Sequence, residues 1–405
     1  MRTVIYMFFI LLFITNSTGC SGQAKNINTS EKVNRKADVQ VVDGGCEGCE
    51  LMYVGMPEKI LPEHTSIGWT AGKHKLVITG KILQLDGRTP AANVMVYYWH
   101  TDDAGLYSSA DDTPAKAKRH GKLRGWVQSD QNGSYTIKTS RPTAYPNEEI
   151  PQHVHLAIRE PDLKNEYYAD LYFDDDPHYL KHKKKYGQEN RAGTELLRVV
   201  LDGNVQIADH NIILGLNIPH YPAKSHPALS SGLNIGEDQP SFIPFHAFGP
   251  DRGTRTCPVC KYGRYHGIVF FVGDRPVWED IKAWLVYLER ESLTRKNYLK
   301  AYFVYGNSRA YQKQNRYNEL EQLGKQLGLQ KIALTFVPSF DDVESEANLN
   351  KINPEVESTM IIYKHRTIVD KYINLKPSEI NFKLISEALD NTKGDYFHLS
   401  GPSHD

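Results

Sequence analysis

The chain has 405 residues, with 48 Lys and Arg balanced by 48 Asp and Glu. A formal charge of zero leaves no net field to recruit nucleic acid or an acidic partner, and this length corresponds to about two or three domains. The 24 tyrosines suit a strand-rich protein but by themselves assign no function.

The N-terminal stretch "MRTVIYMFFILLFITNSTGC" has an early Arg2 and an apolar run from Val4 to Ile14. That run is shorter than the roughly 20 residues a membrane-spanning helix needs, and it sits where an export signal sits. Residues 1–20 resemble a bacterial lipoprotein signal, with cleavage before Cys20 and lipid on its thiol, although Ser17 stands where leucine is usual. A plain secretory signal with an incidental cysteine is the alternative. In either case the mature chain is exported. Lipid on Cys20 implies attachment to a membrane of the bacterial cell envelope, facing the periplasm or the exterior. Removing Cys20 leaves Cys46/Cys49 and Cys257/Cys260, close pairs that in an oxidising compartment are disulfides or redox sites rather than free thiols.

Residues 21–40 are polar and aperiodic and read as a flexible tether. Across 41–220 come short β-like runs broken by turns: "HKLVITGKIL" before "DGRTP", "NVMVYYWH" before "TDDAG", "GSYTIKT" after "DQNG", then "HVHLAI" and "NVQIADHNIILGL". Strands at this spacing, without amphipathic helices between them, predict an antiparallel β-sandwich or barrel. Residues 221–240 are rich in Pro, Ser and Gly and suit a linker. Residues 241–395 change character. "GIVFFVG" and "LKAYFVYG" are near-continuous apolar runs, the pattern of strands covered on both faces. Between them Val277, Ile281, Trp284, Leu285 and Leu288 form a helical stripe that starts after Pro276. A second helix "YNELEQLGKQLG", a strand "IALTFV", a hairpin from "STMIIYKH" and "IVDKYINL", and a helix "PSEINFKLISEALD" complete an α/β domain.

Chemistry concentrates in "RPTAYPNEEIPQHVHLAI", residues 141–158. Side chains two apart on a strand share a face, so His153 and His155 can reach one ion together while Val154 turns into a core. Alone, each histidine or tyrosine here is more often a packing or surface residue than a ligand.

Taken with "VYYWHTDDAGLYS" and "RGWVQSDQNGSYTIKTSRPTAYP", the segment resembles the intradiol ring-cleavage dioxygenases, the family of catechol, hydroxyquinol and protocatechuate dioxygenases. The order matches: a tyrosine ending a G-x-Y turn, an R-G…D-x-x-G-x-Y stretch, a Y-P and an H-x-H. "YYADLYFDDDPH" is similar to the segment that closes the family's site, and the likeness covers about residues 75–215. The resemblance implies that Tyr107, Tyr145, His153 and His155 bind Fe(III). Two phenolates and two imidazoles form a hard donor set suited to the ferric state, and a bound metal keeps the phenols ionised. It implies a catechol-type substrate and O2, with the ring opened between its two hydroxylated carbons. Tyr145 matches the ligand that leaves on substrate binding and acts as a base; Tyr107 stays bound. His100, in "YYWHTDD", is expected to support the site rather than ligate.

Two residues depart from the family pattern. Ile150 stands where the family carries an arginine three residues before the first histidine, and Asp170 replaces a pocket glutamine. One cation fewer and one anion more disfavour a carboxylated catechol and weaken electrostatic help in the transition state. Arg124 and Arg159 are the candidates to compensate.

The C-terminal run with its last helix resembles thioredoxin-like domains, and "RTCPVCKYG" supplies a C-x-x-C. However, Cys257 and Cys260 precede the strand they normally follow, and Ser358 stands at the usual cis-proline position. Cys46/Cys49 and Cys257/Cys260 could together form a four-thiolate zinc site, but two separate short loops are the simpler reading. The sequence thus predicts two domains, an intradiol-dioxygenase-like β-sandwich and a thioredoxin-like α/β domain. The expected activity is oxidative opening of a catechol-type ring. The alternatives are a non-catalytic binding module of the envelope and a thiol-redox protein.

Overall fold

Alternating apolar residues from 75 to 213 assemble two stacked sheets. In chain order the computed structural model contains β1 (Glu63–Thr65), α1 (Gly68–Ala71), β2 (Lys75–Leu83), β3 (Met95–Trp99), β4 (Arg124–Gln128), β5 (Ser134–Ser140), β6 (His153–Arg159) and β7 (Tyr167–Phe173). After these come α2 (Tyr179–Tyr186), β8 (Leu196–Leu197), β9 (Val199–Asp202), β10 (Val205–Asp209) and β11 (Ile212–Ile213). The structure describes residues 42–393 apart from 45, 47, 223–228, 264 and 310. The signal segment, Cys20 and the tether to residue 40 lie outside the described residues, and no described helix is long and apolar enough to cross a membrane.

One sheet runs β1-β5-β2-β10-β9 with β11 also on β2, and the other runs β4-β3-β6-β7-β8. Their facing sides share one core that includes Leu76, Ile78, Val96, Tyr98, Ile137, Val154, Leu156 and Ile158. Each such buried aliphatic side chain contributes about 1.5–3 kcal/mol. The sheets are mixed rather than purely antiparallel, which corrects the expectation: β1 runs parallel to β5, β10 and β11 to β2, and β8 to β7. A tight hairpin imposes antiparallel pairing, whereas these strands meet after long excursions that leave direction open.

The remaining elements are β12 (Phe245–Phe248), α3 (Pro258–Tyr262), β13 (His266–Val272), α4 (Trp278–Arg295), β14 (Leu299–Tyr305), α5 (Lys313–Gln326), β15 (Ala333–Phe336), β16 (Thr359–Lys364), β17 (Thr367–Ile373) and α6 (Glu379–Thr392). They form one sheet, β12-β15-β14-β13-β16-β17, parallel through β15-β14-β13 and antiparallel at both margins. The continuous apolar run of β13 has a direct cause. Ile268, Phe270 and Val272 enter a core with Trp284 and Leu288 of α4, while Val269 and Phe271 enter a second core on the opposite face. Val277 does not join the stripe; it precedes α4 and is 37% exposed.

The described residues, 42–393, belong to one compact unit. The segment expected as a linker is packed where it is described: Gly232 N donates to Lys351 O at 2.9 Å and Gly236 N to Ile368 O at 2.8 Å. Asp238 pairs with Arg198 at 3.0 Å, and Lys364 Nζ reaches Asp209 at 2.6 Å. Disulfides join Cys46 to Cys49 and Cys257 to Cys260, so the four sulfurs do not make a shared zinc site.

Candidate functional site

Strand pleating puts the site on the outer face of the second sheet. In β6, Val154, Leu156 and Ile158 face the inter-sheet core, so His153 and His155 point the other way. Cross-strand register sets their neighbours: His153 is opposite Tyr172 and His155 opposite Asp170 on β7, with Trp99 of β3 on the other side of His155. The Trp99 indole stacks between the His155 ring at 4.9 Å and the His120 ring at 4.1 Å. Behind it Cys49, Met52, Tyr97 and Trp126 form a small aromatic core, which fixes the back of the His155 ring.

Two loops bring in the phenols. Tyr107 ends a turn closed by Asp102, whose carboxylate accepts Ala104 N at 2.9 Å and Leu106 N at 3.2 Å. Gly105 in this turn has φ +74°, and a Cβ there would sit 2.2 Å from Ala144 O. Only glycine lets the Tyr107 turn approach the Tyr145 segment so closely. Thr101 Oγ1 ties the loops further by donating to Thr143 O at 2.6 Å.

Four polar atoms close a ring. Tyr107 Oη lies 2.6 Å from Tyr145 Oη, Tyr145 Oη 3.2 Å from His153 Nε2, His153 Nε2 3.1 Å from His155 Nε2, and His155 Nε2 3.0 Å from Tyr107 Oη. Their protons can be counted. His153 Nδ1 faces Pro151 O at 2.7 Å and His155 Nδ1 faces the Asp170 carboxylate at 2.6 Å. Both partners are acceptors, so both Nδ1 atoms carry hydrogen, and a neutral ring then turns a bare lone pair inward from Nε2. Burial, then the charge of His155, lowers His153 to about 4, so it is neutral near pH 7. Burial also raises both phenols above their ordinary value, with the Asp170 charge adding to the effect. With both rings neutral, as metal ligation requires, two phenolic protons serve four short contacts, and two contacts go without one. A cation among these atoms would satisfy all four electron pairs at once. Fe(III), which prefers phenolate and imidazole, fits this donor set. Among the described residues no cluster of three or more His, Cys, Asp or Glu is poised for a metal; here phenols supply half of the donors.

Asp170 is held ionised. Burial pushes its pKa up, but the imidazoles of His155 and His153 outweigh this and bring it below the ordinary carboxylate range. A carboxylate on the outer nitrogen of a ligating imidazole orients the ring and raises its basicity. His100 does not join the ring. It is buried, with Nδ1 on Thr101 O at 2.8 Å and Nε2 2.9 Å from Thr139 Oγ1.

A pocket of about 420 Å³ opens beside the ring, and Tyr145, Ile150, His153, His155 and Asp170 are part of its wall. Tyr107 is not among its lining residues. Arg124 and Arg159 are also absent from the lining, which corrects the expectation that either faces the pocket. Arg124 reaches Tyr97 Oη at 3.2 Å and Val54 O at 2.7 Å, and Arg159 donates to Leu163 O. The lining arginine is Arg191, which the sequence reading missed. It missed His182 and Tyr186 of α2 as well, where His182 packs between Tyr172 at 4.8 Å and Tyr186 at 4.9 Å. The helix carrying them, "YLKHKKKY", is dominated by Lys and His with few apolar residues, and no sequence signal marked it.

Comparison with known proteins finds one family model and several relatives. A family model described as Dioxygenase matches residues 62–186, a span that includes all four ring residues. Catechol 1,2-dioxygenase of Acinetobacter baylyi is 30% identical over 95 residues, covering 24% of this chain and 30% of that protein. Chlorocatechol 1,2-dioxygenase of a Pseudomonas species is 33% identical over 104 residues, covering 22% of this chain and 39% of that protein. The chain thus spans less than half the length of these curated relatives. Among solved structures, hydroxyquinol 1,2-dioxygenase from Pseudomonas putida aligns with a TM-score of 0.31 at 23% identity, covering 40% of this chain and 62% of that chain.

Proposed function

Residues 62–186 belong to the intradiol dioxygenase family, and from that premise we propose that this chain is an iron(III)-dependent dioxygenase that opens a catechol-type ring. One catechol and one O2 would give one dicarboxylic acid, with both oxygen atoms retained. The reading is carried by the ring of two phenol oxygens and two imidazole Nε2 atoms, each 2.6–3.2 Å from the next.

In this reading Tyr107, Tyr145, His153 and His155 hold the ion. When bound, iron would supply the Lewis acidity that makes a catechol ring reactive toward O2. The chain's own groups divide the remaining work. Tyr145 lines the pocket and Tyr107 does not, so Tyr145 Oη is the phenol oxygen placed to take a proton from an arriving catechol, while Tyr107 remains an interior anchor. Pro151 O and the Asp170 carboxylate hold the outer N–H groups of the two imidazoles and so keep both Nε2 atoms aimed inward. Ile150 gives the pocket an apolar wall that helps to exclude water and binds the aromatic edge of a substrate.

An oxygen electrode tests the activity directly. Catechols should consume one equivalent of O2 with ring-opened diacid as product, and iron chelation should abolish the uptake. Oxygen uptake that yields only quinone would refute intradiol cleavage.

We further propose that the chain works in the cell envelope, anchored through lipid on Cys20. Fractionation of the native host should find it with membranes and release it on Cys20→Ser substitution. A wild-type protein that is already soluble would argue for simple secretion instead.

A further inference from the structure

Resting on the ring-cleavage reading, we propose that the pocket selects a catechol bearing a positively charged substituent, such as an aminoalkyl catechol, with Glu189 as the specificity-determining carboxylate. Charged groups on the pocket wall are unequal: Asp170, Glu189 and Glu195 face a single guanidinium, Arg191. That guanidinium is already matched. Its Nε donates to Tyr168 O at 3.0 Å, its terminal nitrogen pairs with Asp43, whose side chain is only 2% exposed, and its plane stacks 3.9 Å from the Tyr168 ring centre. An anionic substituent would therefore find no uncommitted cation there, and Ile150 offers none.

The carboxylates differ in how fully they are engaged. Asp170 holds His155. Glu195 accepts Tyr179 Oη at 2.8 Å and Glu189 N at 2.9 Å, which pins the loop after α2. Glu189 is the least committed: its side chain is 62% exposed, and its nearest cation is Arg191 Nε at 4.0 Å. Tyr172 adds aromatic wall, whose electron-rich face favours a cation over an anion, while Tyr168 and Tyr186 already carry Arg191 and Lys185. The volume of about 420 Å³ falls within the range that holds drug-sized ligands, leaving room for a side chain beyond a bare catechol ring.

Calorimetric titration of the iron-loaded chain in oxygen-free buffer measures this without turnover. The probes are 4-(2-aminoethyl)catechol, 4-ethylcatechol and 3,4-dihydroxyphenylacetate, similar in size and differing in charge. Affinity should fall in that order, and the first step should shrink in high salt. Glu189→Gln should cut the ratio of amine to ethyl affinity by about fivefold, the scale of a partly exposed ion pair. Equal affinities, or a preference for the carboxylate, would overturn the inference and leave the ring-cleavage reading standing. An unchanged ratio in Glu189→Gln would overturn the role of Glu189. Failure of all three catechols to bind would overturn this inference together with the reading on which it rests.

Discussion

Replacing His155 with alanine should strip the protein of iron and lower kcat/KM for a catechol by at least about a thousandfold, the scale of losing a metal's several kcal/mol of transition-state stabilisation. His155 Nε2 makes two sides of the four-atom ring, at 3.1 Å to His153 Nε2 and 3.0 Å to Tyr107 Oη. Its removal also leaves Asp170 without the imidazole partner it meets at 2.6 Å. The fold should survive, because the inter-sheet core uses Val154, Leu156 and Ile158 on the opposite face of β6. Iron analysis and circular dichroism on the same sample check both halves: native-like secondary structure with no iron is expected. Retention of stoichiometric iron would show that the ion, if present, is held elsewhere.

The second large effect should come from Asp170→Asn. This change keeps a side chain able to accept the His155 Nδ1–H bond, seen at 2.6 Å, and removes only the charge. Loss of such an outer partner typically weakens metal binding about 10- to 100-fold. Competition against a calibrated chelator should therefore show weaker iron binding by that factor, with iron still bound at saturation. Undiminished affinity would mean that Asp170 only fills the position of the family glutamine without tuning His155.

Much of this site could be read from the chain because it depends on local spacing. The H-x-H alternation in β6 required only strand geometry, and the turn glycine before Tyr107 and the Y-P at Tyr145 lie in the family's order. The role of Asp170 could not be read in this way. Its contact with His155 arises from register between β6 and β7, and a sequence shows the alternation of a strand but not its partner. For the same reason Arg124 and Arg159 are candidates from sequence alone: nearness to the motifs along the chain does not show which cation faces the pocket, and neither lines it. Arg191 reaches the pocket from the loop after α2, anchored by Asp43 far away in the chain.

In the C-terminal portion the strands and helices were largely legible. Strands buried on both faces read as continuous apolar runs, and α4 displays a stripe with Ile281, Trp284, Leu285 and Leu288 buried. β12 escaped notice because it is a four-residue margin strand held by pairing with β15 rather than by a pattern of its own. The packed segment 229–240 resembled a linker because Gly and Pro composition says nothing about long-range backbone bonds such as Gly236 N to Ile368 O.

The central claim, that Tyr107, Tyr145, His153 and His155 share one ferric ion, is tested most directly by iron analysis with a visible spectrum of protein purified from iron-replete cells. One iron per chain is expected, with a red to burgundy phenolate-to-iron band that shifts on adding a catechol and changes in Tyr145→Phe. A colourless, iron-free protein, or an iron band indifferent to loss of either tyrosine, would contradict it.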